Sequence, residues 1–127
     1  MILNLTDLSD EPLQSQIVRQ IRAKILSSEI EQEHELPSIR NLAREQHISV
    51  ITVQRAYEIL EREGLIHSRR GKGFFVSELN QGRKKEMAKE RLLEKIEPLV
   101  NSAIDEGMDL EEILAIIRII IDKNKKF

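Results

Sequence analysis

Cysteine is absent, which excludes disulfide bridges, thiolate nucleophiles and cysteine-held metal. The three histidines, His34, His47 and His67, show no i,i+4 pairing that would build a metal face on a helix. No run approaches the roughly 18 apolar residues needed to span a bilayer, and the first residues lack the basic-then-apolar pattern of a secretory leader. Cytoplasm is the expected compartment, with no membrane partner. No nucleophile, base and orienting group cluster together, and no glycine-rich phosphate loop opens a helix after a strand. Neither catalysis nor a cofactor or metal is expected.

What is present is a chain of 127 residues with 40% hydrophobic content, enough for one domain of ordinary size and an appendage. Its net charge of −2 says nothing of nucleic acid, but the distribution does. Residues 1–37 carry three basic and seven acidic groups, 38–77 seven and four, and 78–127 ten and eleven. The positive balance is confined to the middle segment.

That segment centres on Ile48 to Val76. Ser49 can cap a helix, with Ile48 and Val53 as a hydrophobic staple. Val53, Ala56, Tyr57 and Leu60 fall on one buried face, so Val50, Ile51, Gln54, Arg55 and Glu58 turn outward. Gly64 can end the helix with a left-handed backbone, and Leu65, Ile66, Phe74, Phe75 and Val76 read as two short strands joined across Arg69, Arg70, Gly71, Lys72 and Gly73. Tyr57, Phe74 and Phe75 are read as core rather than as stacking platforms for single strands.

Upstream, Met1 to Leu5 is a short apolar start, with an edge strand as one reading. A helix is expected from Pro12 to Ser28, with Leu13, Ile17, Ile21 and Ile25 repeating every four residues. The acidic connection from Glu29 to Glu35 is read as a solvated loop turned away from phosphate. Leu36 to Ala43 opens a second helix capped by Ser38, with Ile39, Leu42 and Ala43 inward and Arg40 and Arg44 outward. Arg44 and Arg62 are taken as solvated charges. His47 falls at the corner before Ser49 and is read as a turn residue with positive φ rather than as a DNA contact.

Downstream, residues 78–89 form a polar linker running into a helix. Leu92, Ile96, Leu99 and Ala103 make a heptad-like stripe, in which Pro98 is expected to kink the helix near Glu94 to Glu97. After Gly107, Asp109 and Glu112 can form a capping box, with Met108 and Ile113 as its staple. The last helix carries Leu110, Ile113, Leu114, Ile116, Ile117, Ile119, Ile120 and Ile121 around most of its circumference. One neighbouring helix cannot bury so wide a surface, so a second copy of the chain is expected over residues 90–127. The dimer set is Leu92, Ile96, Leu99, Ala103, Leu110, Ile113, Leu114, Ile117, Ile120 and Ile121, with Lys123 to Lys126 placed favourably at a helix C-terminus.

The run Leu36-Pro37-Ser38 with Arg40, Leu42 and Ala43, then Thr52 to Tyr57, Leu60 to Ile66 and Arg70 to Gly73, resembles the winged-helix domain of GntR-family bacterial transcription regulators. The resemblance covers about half the chain, and the short two-helix tail looks like that of the YtrA-type subfamily. It implies a mainly α fold with a small β wing: a winged helix-turn-helix over residues 1–77 and a helical dimerisation segment at the end. It also implies a repressor, commonly of an operon for an ABC-type transporter. The chain departs from the family habit of a glycine before Leu-Pro-Ser, having Gln32, Glu33, His34 and Glu35 there. Val50 and Ile51 stand where relatives often place Asn or Arg, so base recognition is not carried over to those two positions.

Read residue by residue, the groove side holds Ser49, Val50, Ile51, Gln54 and Arg55. Gln54 can read adenine, Val50 and Ile51 suit thymine methyls, and Arg55 either reads guanine or holds phosphate. Arg40 and Thr52 are expected to anchor phosphates, and Arg69, Arg70, Gly71 and Lys72 to follow the minor groove. The expected function is therefore a sequence-specific regulator of transcription that binds a double-stranded operator as a homodimer. The alternative is a helical protein-interaction module, such as an anti-repressor, that uses the winged helix as scaffold. No constellation of polar groups marks a small-molecule effector site.

Overall fold

Ile17, Ile21 and Ile25 expose none of their surface, because spacing of about one helical turn lines them along a single face. They belong to α1 (Leu13–Leu26), packed against α3 (Val50–Arg62), which also packs against α2 (Ile39–Gln46). A computed structural model describes residues 1–125. It divides into two units, Met1–Lys85 and a second beginning at Glu86. Among the described residues no helix is long and apolar enough to cross a membrane, and no group of three or more His, Asp or Glu could hold a metal ion.

Local chemistry sets the helix ends. The Ser38 and Ser49 hydroxyls accept hydrogen bonds from Asn41 N and Thr52 N at 3.1 and 3.2 Å, satisfying donors that the first turns leave free. Between the caps His47 takes φ 56°, the left-handed corner expected of it. Gly64, at φ 78°, ends α3 and turns the chain into the wing. Val53, Ala56, Tyr57 and Leu60 are fully buried, as their spacing requires. Arg22, 8% exposed on α1, forks onto the Glu63 carboxylate at 2.9 and 2.8 Å and ties α1 to the end of α3.

The wing is the antiparallel pair β1 (Ile66–Arg69) and β2 (Gly73–Val76), in register Ile66 with Val76 through Arg69 with Gly73. Its outer edge adds backbone bonds to the acidic connection, which is otherwise the expected loop with exposed charges. Glu33 N donates to Val76 O, Val76 N to His34 O and Leu36 N to Phe74 O, at 2.8 to 2.9 Å, with a bridge between Glu35 and Phe75. The segment is therefore a turn and loop tied to β2 by backbone bonds and one isolated bridge, with its polar side chains exposed and Ile30 and Leu36 buried. An unpaired strand edge is an available template, and this one is taken by the chain itself.

The N-terminus also differs from expectation. Residues Met1 to Leu5 form no strand. Instead the side-chain amides of α1 imitate a strand partner: Gln20 bonds both Asn4 N and Asn4 O, at 2.8 and 2.7 Å, and Gln16 does the same for Thr6, at 3.0 and 2.8 Å. Leu3 is thereby held in the core.

Beyond the wing only Ser77–Asn80 stays outside regular structure before α4 (Gln81–Asp105) begins. Lys84, 6% exposed, and Gln81 both donate to Ser28 Oγ, at 3.0 and 2.8 Å. In the second unit α4 runs unbroken through Pro98 and is followed by α5 (Leu110–Lys123). The α5 start is the expected reciprocal box, with Glu112 N donating to Asp109 at 2.9 Å and Asp109 N to Glu112 at 3.0 Å. Lys123 and Lys125 are exposed at its end; Lys126, expected beside them, lies outside the described residues.

Candidate nucleic-acid interface

Helix α3 reaches solvent through the turn that Ser49 caps. Val50 and Ile51 are 46% and 49% exposed, unusual for branched apolar side chains, and Gln54 and Arg55 continue the same outward face. Ser49 Oγ also lies 2.7 Å from Thr52 Oγ1, so Thr52 is half-buried within the cap. Gln54 Nε2 donates to Glu58 at 3.3 Å, which leaves its amide oxygen directed by that contact. Apolar groups for thymine methyls, an amide with donor and acceptor, and a guanidinium thus share one helix turn and a half.

The wing tip is set by the same chain logic. Lys72 N donates to Arg69 O at 2.9 Å, closing the turn, and Gly71 accepts the φ of 75° that the turn imposes. Arg70, Gly71 and Lys72 are exposed, and among the described residues Arg70 and Lys72 make no ion pair. Arg69 is different. Its guanidinium pairs with the Glu33 carboxylate and lies 4.4 Å over the Phe75 ring. The wing is coupled to α3 through Glu61, which accepts from Ser68 N and Oγ at 3.3 and 3.1 Å. Arg40 is exposed on α2, as is Arg44, which donates to Asn41 at 2.7 Å.

Reading the sequence missed three members of this region: the Glu33 partner of Arg69, the Glu61 clamp on β1, and the Lys84 contact to Ser28. Each joins residues far apart in the chain, except for Glu61, whose position seven residues before Ser68 across the Gly64 turn was an available signal.

The second unit presents a contrasting surface. Ile96, Ala103, Ile113 and Ile117 are half-buried along the seam of α4 and α5, around an apolar groove of about 190 Å³ that Leu99 and Ile120 also line. Leu92, Leu99, Leu110, Leu114, Ile120 and Ile121 are between 48% and 70% exposed. No residue of α5 is buried.

Residues 13–76 match the family profile described as bacterial regulatory proteins, gntR family. The HTH-type transcriptional repressor YtrA of Bacillus subtilis is 32% identical over 105 residues, 83% of this chain and 81% of that protein. A GntR family transcriptional regulator from Listeria monocytogenes superposes with a TM-score of 0.73 at 27% identity, covering 87% of this chain and 96% of its own. A transcriptional regulator from Oenococcus oeni does so at 0.70 and 27%, covering 94% and 99%.

Proposed function

The chain belongs to the gntR family of bacterial regulatory proteins, as a transcription regulator with a DNA-binding winged helix, and from that premise we propose that it is a repressor that binds its operator as a homodimer. Residues 1–77 grip the duplex, residues 90–127 join the two copies, and 78–89 connect them. The regulated genes are those of a transporter operon, as in the YtrA-type branch, and the protein works in the cytoplasm.

The observation that carries this reading is the pairing of an exposed, capped helix start with a cationic hairpin. Val50, Ile51 and Gln54 meet base edges in the major groove, Arg55 reads guanine or holds phosphate, Arg40 and Thr52 hold phosphates, and Arg70 and Lys72 with Gly71 follow the adjacent minor groove. Ser49 keeps the α3 start rigid, so its side chains need little ordering on binding. The dimer is supported by the second unit itself: two helices with no buried residue between Glu86 and Lys125 lack a core of their own. A second copy gives that apolar surface a partner, and two copies present two α3 helices to an inverted repeat.

Selection of bound duplexes from a random pool tests the proposal. Enrichment of an inverted repeat with A·T pairs at each half-site centre is expected; recovery of the unselected pool would contradict it.

A further inference from the structure

Three cations were expected to reach DNA from the wing, yet one of them is already engaged. Arg69 sits at the last position of β1, its guanidinium over the Phe75 ring and paired with Glu33. Glu33 does not meet it by chance of a mobile side chain. Its backbone is fixed to β2 by the 2.8 Å bond from Glu33 N to Val76 O, and the next residue accepts from Val76 N at 2.9 Å. Glu33 also takes φ 63°, a left-handed backbone that glycine or asparagine adopts with less strain. A long acidic side chain occupies that position all the same, and it is spent on Arg69. Beside it, the Glu35 carboxylate lies close to Gly73, within 3.7 Å of where a β-carbon would stand. The loop bonded along β2 thus brings two carboxylates to a hairpin whose tip is cationic.

On the reading that this wing binds DNA, we propose that Glu33 is a positioning residue that acts as a brake. It holds Arg69 against Phe75 and cancels its charge, so the wing meets phosphate with Arg70 and Lys72 alone. Binding to any duplex is weakened by the same factor, because phosphate contacts carry no sequence information. The bases read by α3 are untouched. Glu33 therefore limits the sequence-independent part of the affinity, the part that ties a regulator up along the whole chromosome.

The test is the salt dependence of binding by the full chain, on an operator and on an unrelated duplex, for the natural sequence and for Glu33→Gln. Freeing Arg69 in both subunits is expected to raise affinity for both duplexes by about two- to thirtyfold at low salt, the range of two exposed ion pairs. It also steepens the log–log slope by about one to two, since each new phosphate contact releases counterions. The ratio between the two duplexes stays the same. In an Arg69→Ala background, Glu33→Gln is expected to leave the slope unchanged. Glu33→Gly, suited to the left-handed backbone, gives the same readout should the amide disturb the loop. A chain that binds, with variants whose slope and affinity match it or fall below it, overturns the brake while leaving DNA binding intact. A steeper slope that survives without Arg69 also overturns it. A natural chain that binds no duplex overturns the DNA-binding reading itself, and the brake with it.

Discussion

Tyr57 Oη donates a 2.7 Å hydrogen bond to the carbonyl oxygen of Pro37, and so the middle of α3 is held to the residue just before the α2 cap. The ring is fully buried and meets Phe74 edge-on, with centroids 5.1 Å apart. Helix, cap and wing are thus joined at one side chain. Tyr57→Phe removes the donor and leaves the carbonyl without it, which is expected to cost about 1 to 3 kcal/mol of stability. Urea denaturation of the two proteins measures the difference.

The same side chain makes stability sensitive to alkali. Burial, first, and the nearby Glu45 charge push the Tyr57 phenol well above its ordinary value. The unfolded chain therefore gives up this proton first, from about pH 10. The contribution is fully present below that pH and falls away as pH rises above it. Tyr57 is the one tyrosine of the chain, so phenolate absorbance reports it alone. Absorbance is expected to stay flat through pH 10 and to rise only together with unfolding; ordinary titration of a folded protein at pH 10 would refute the link.

Replacing Gln54 by Ala is expected to relax the preference at one base pair, by about 1 to 3 kcal/mol of discrimination, with little change elsewhere in the site. Arg70→Ala, by contrast, is expected to weaken all duplexes alike and to flatten the salt slope. Binding assays on a set of single-base operator variants separate the two patterns. Equal behaviour of both variants would mean that the helix and the wing do not divide the work as proposed.

Three to four phosphate-pairing cations per subunit give the dimer a log–log salt slope of roughly −5 to −7. A titration across several salt concentrations checks this. A flat response would show that charge pairing contributes little.

The apolar face of the second unit sets the fifth expectation. Ile117 lies half-buried on the α4–α5 groove, and Leu114, on the same helix, is 49% exposed. Leu114→Glu and Ile117→Glu each place a charge where a second copy is proposed to sit, and dissociation to single chains is expected with the winged helix still folded. Sedimentation gives the mass and circular dichroism the helix content.

What could be read from the sequence was local. Ser38, Ser49 and Asp109 cap helices whose first turns lie within three residues, and the 53-56-57-60 stripe needs only the pitch of a helix to be seen. What could not be read joins distant stretches of chain. The backbone bonds that Glu33 to Leu36 make to β2, some forty residues on, are recognisable only once the two lie side by side. Arg69 looked like a third free cation because nothing near it in sequence announces Glu33. Met1 to Leu5 has the composition of an edge strand, yet the amides of Gln16 and Gln20 supply its partners, a role that periodicity does not reveal. Lys84, polar and expected in a linker, is buried because Ser28 meets it across 56 positions.

The proposed operator complex is tested most directly by its stoichiometry. Sedimentation of the protein with a duplex recovered by selection is expected to give two chains per inverted repeat, joined already in free solution and lost together when salt is raised. A chain that is single in solution and holds no duplex, or holds one copy per site without preference for a repeat, would contradict it.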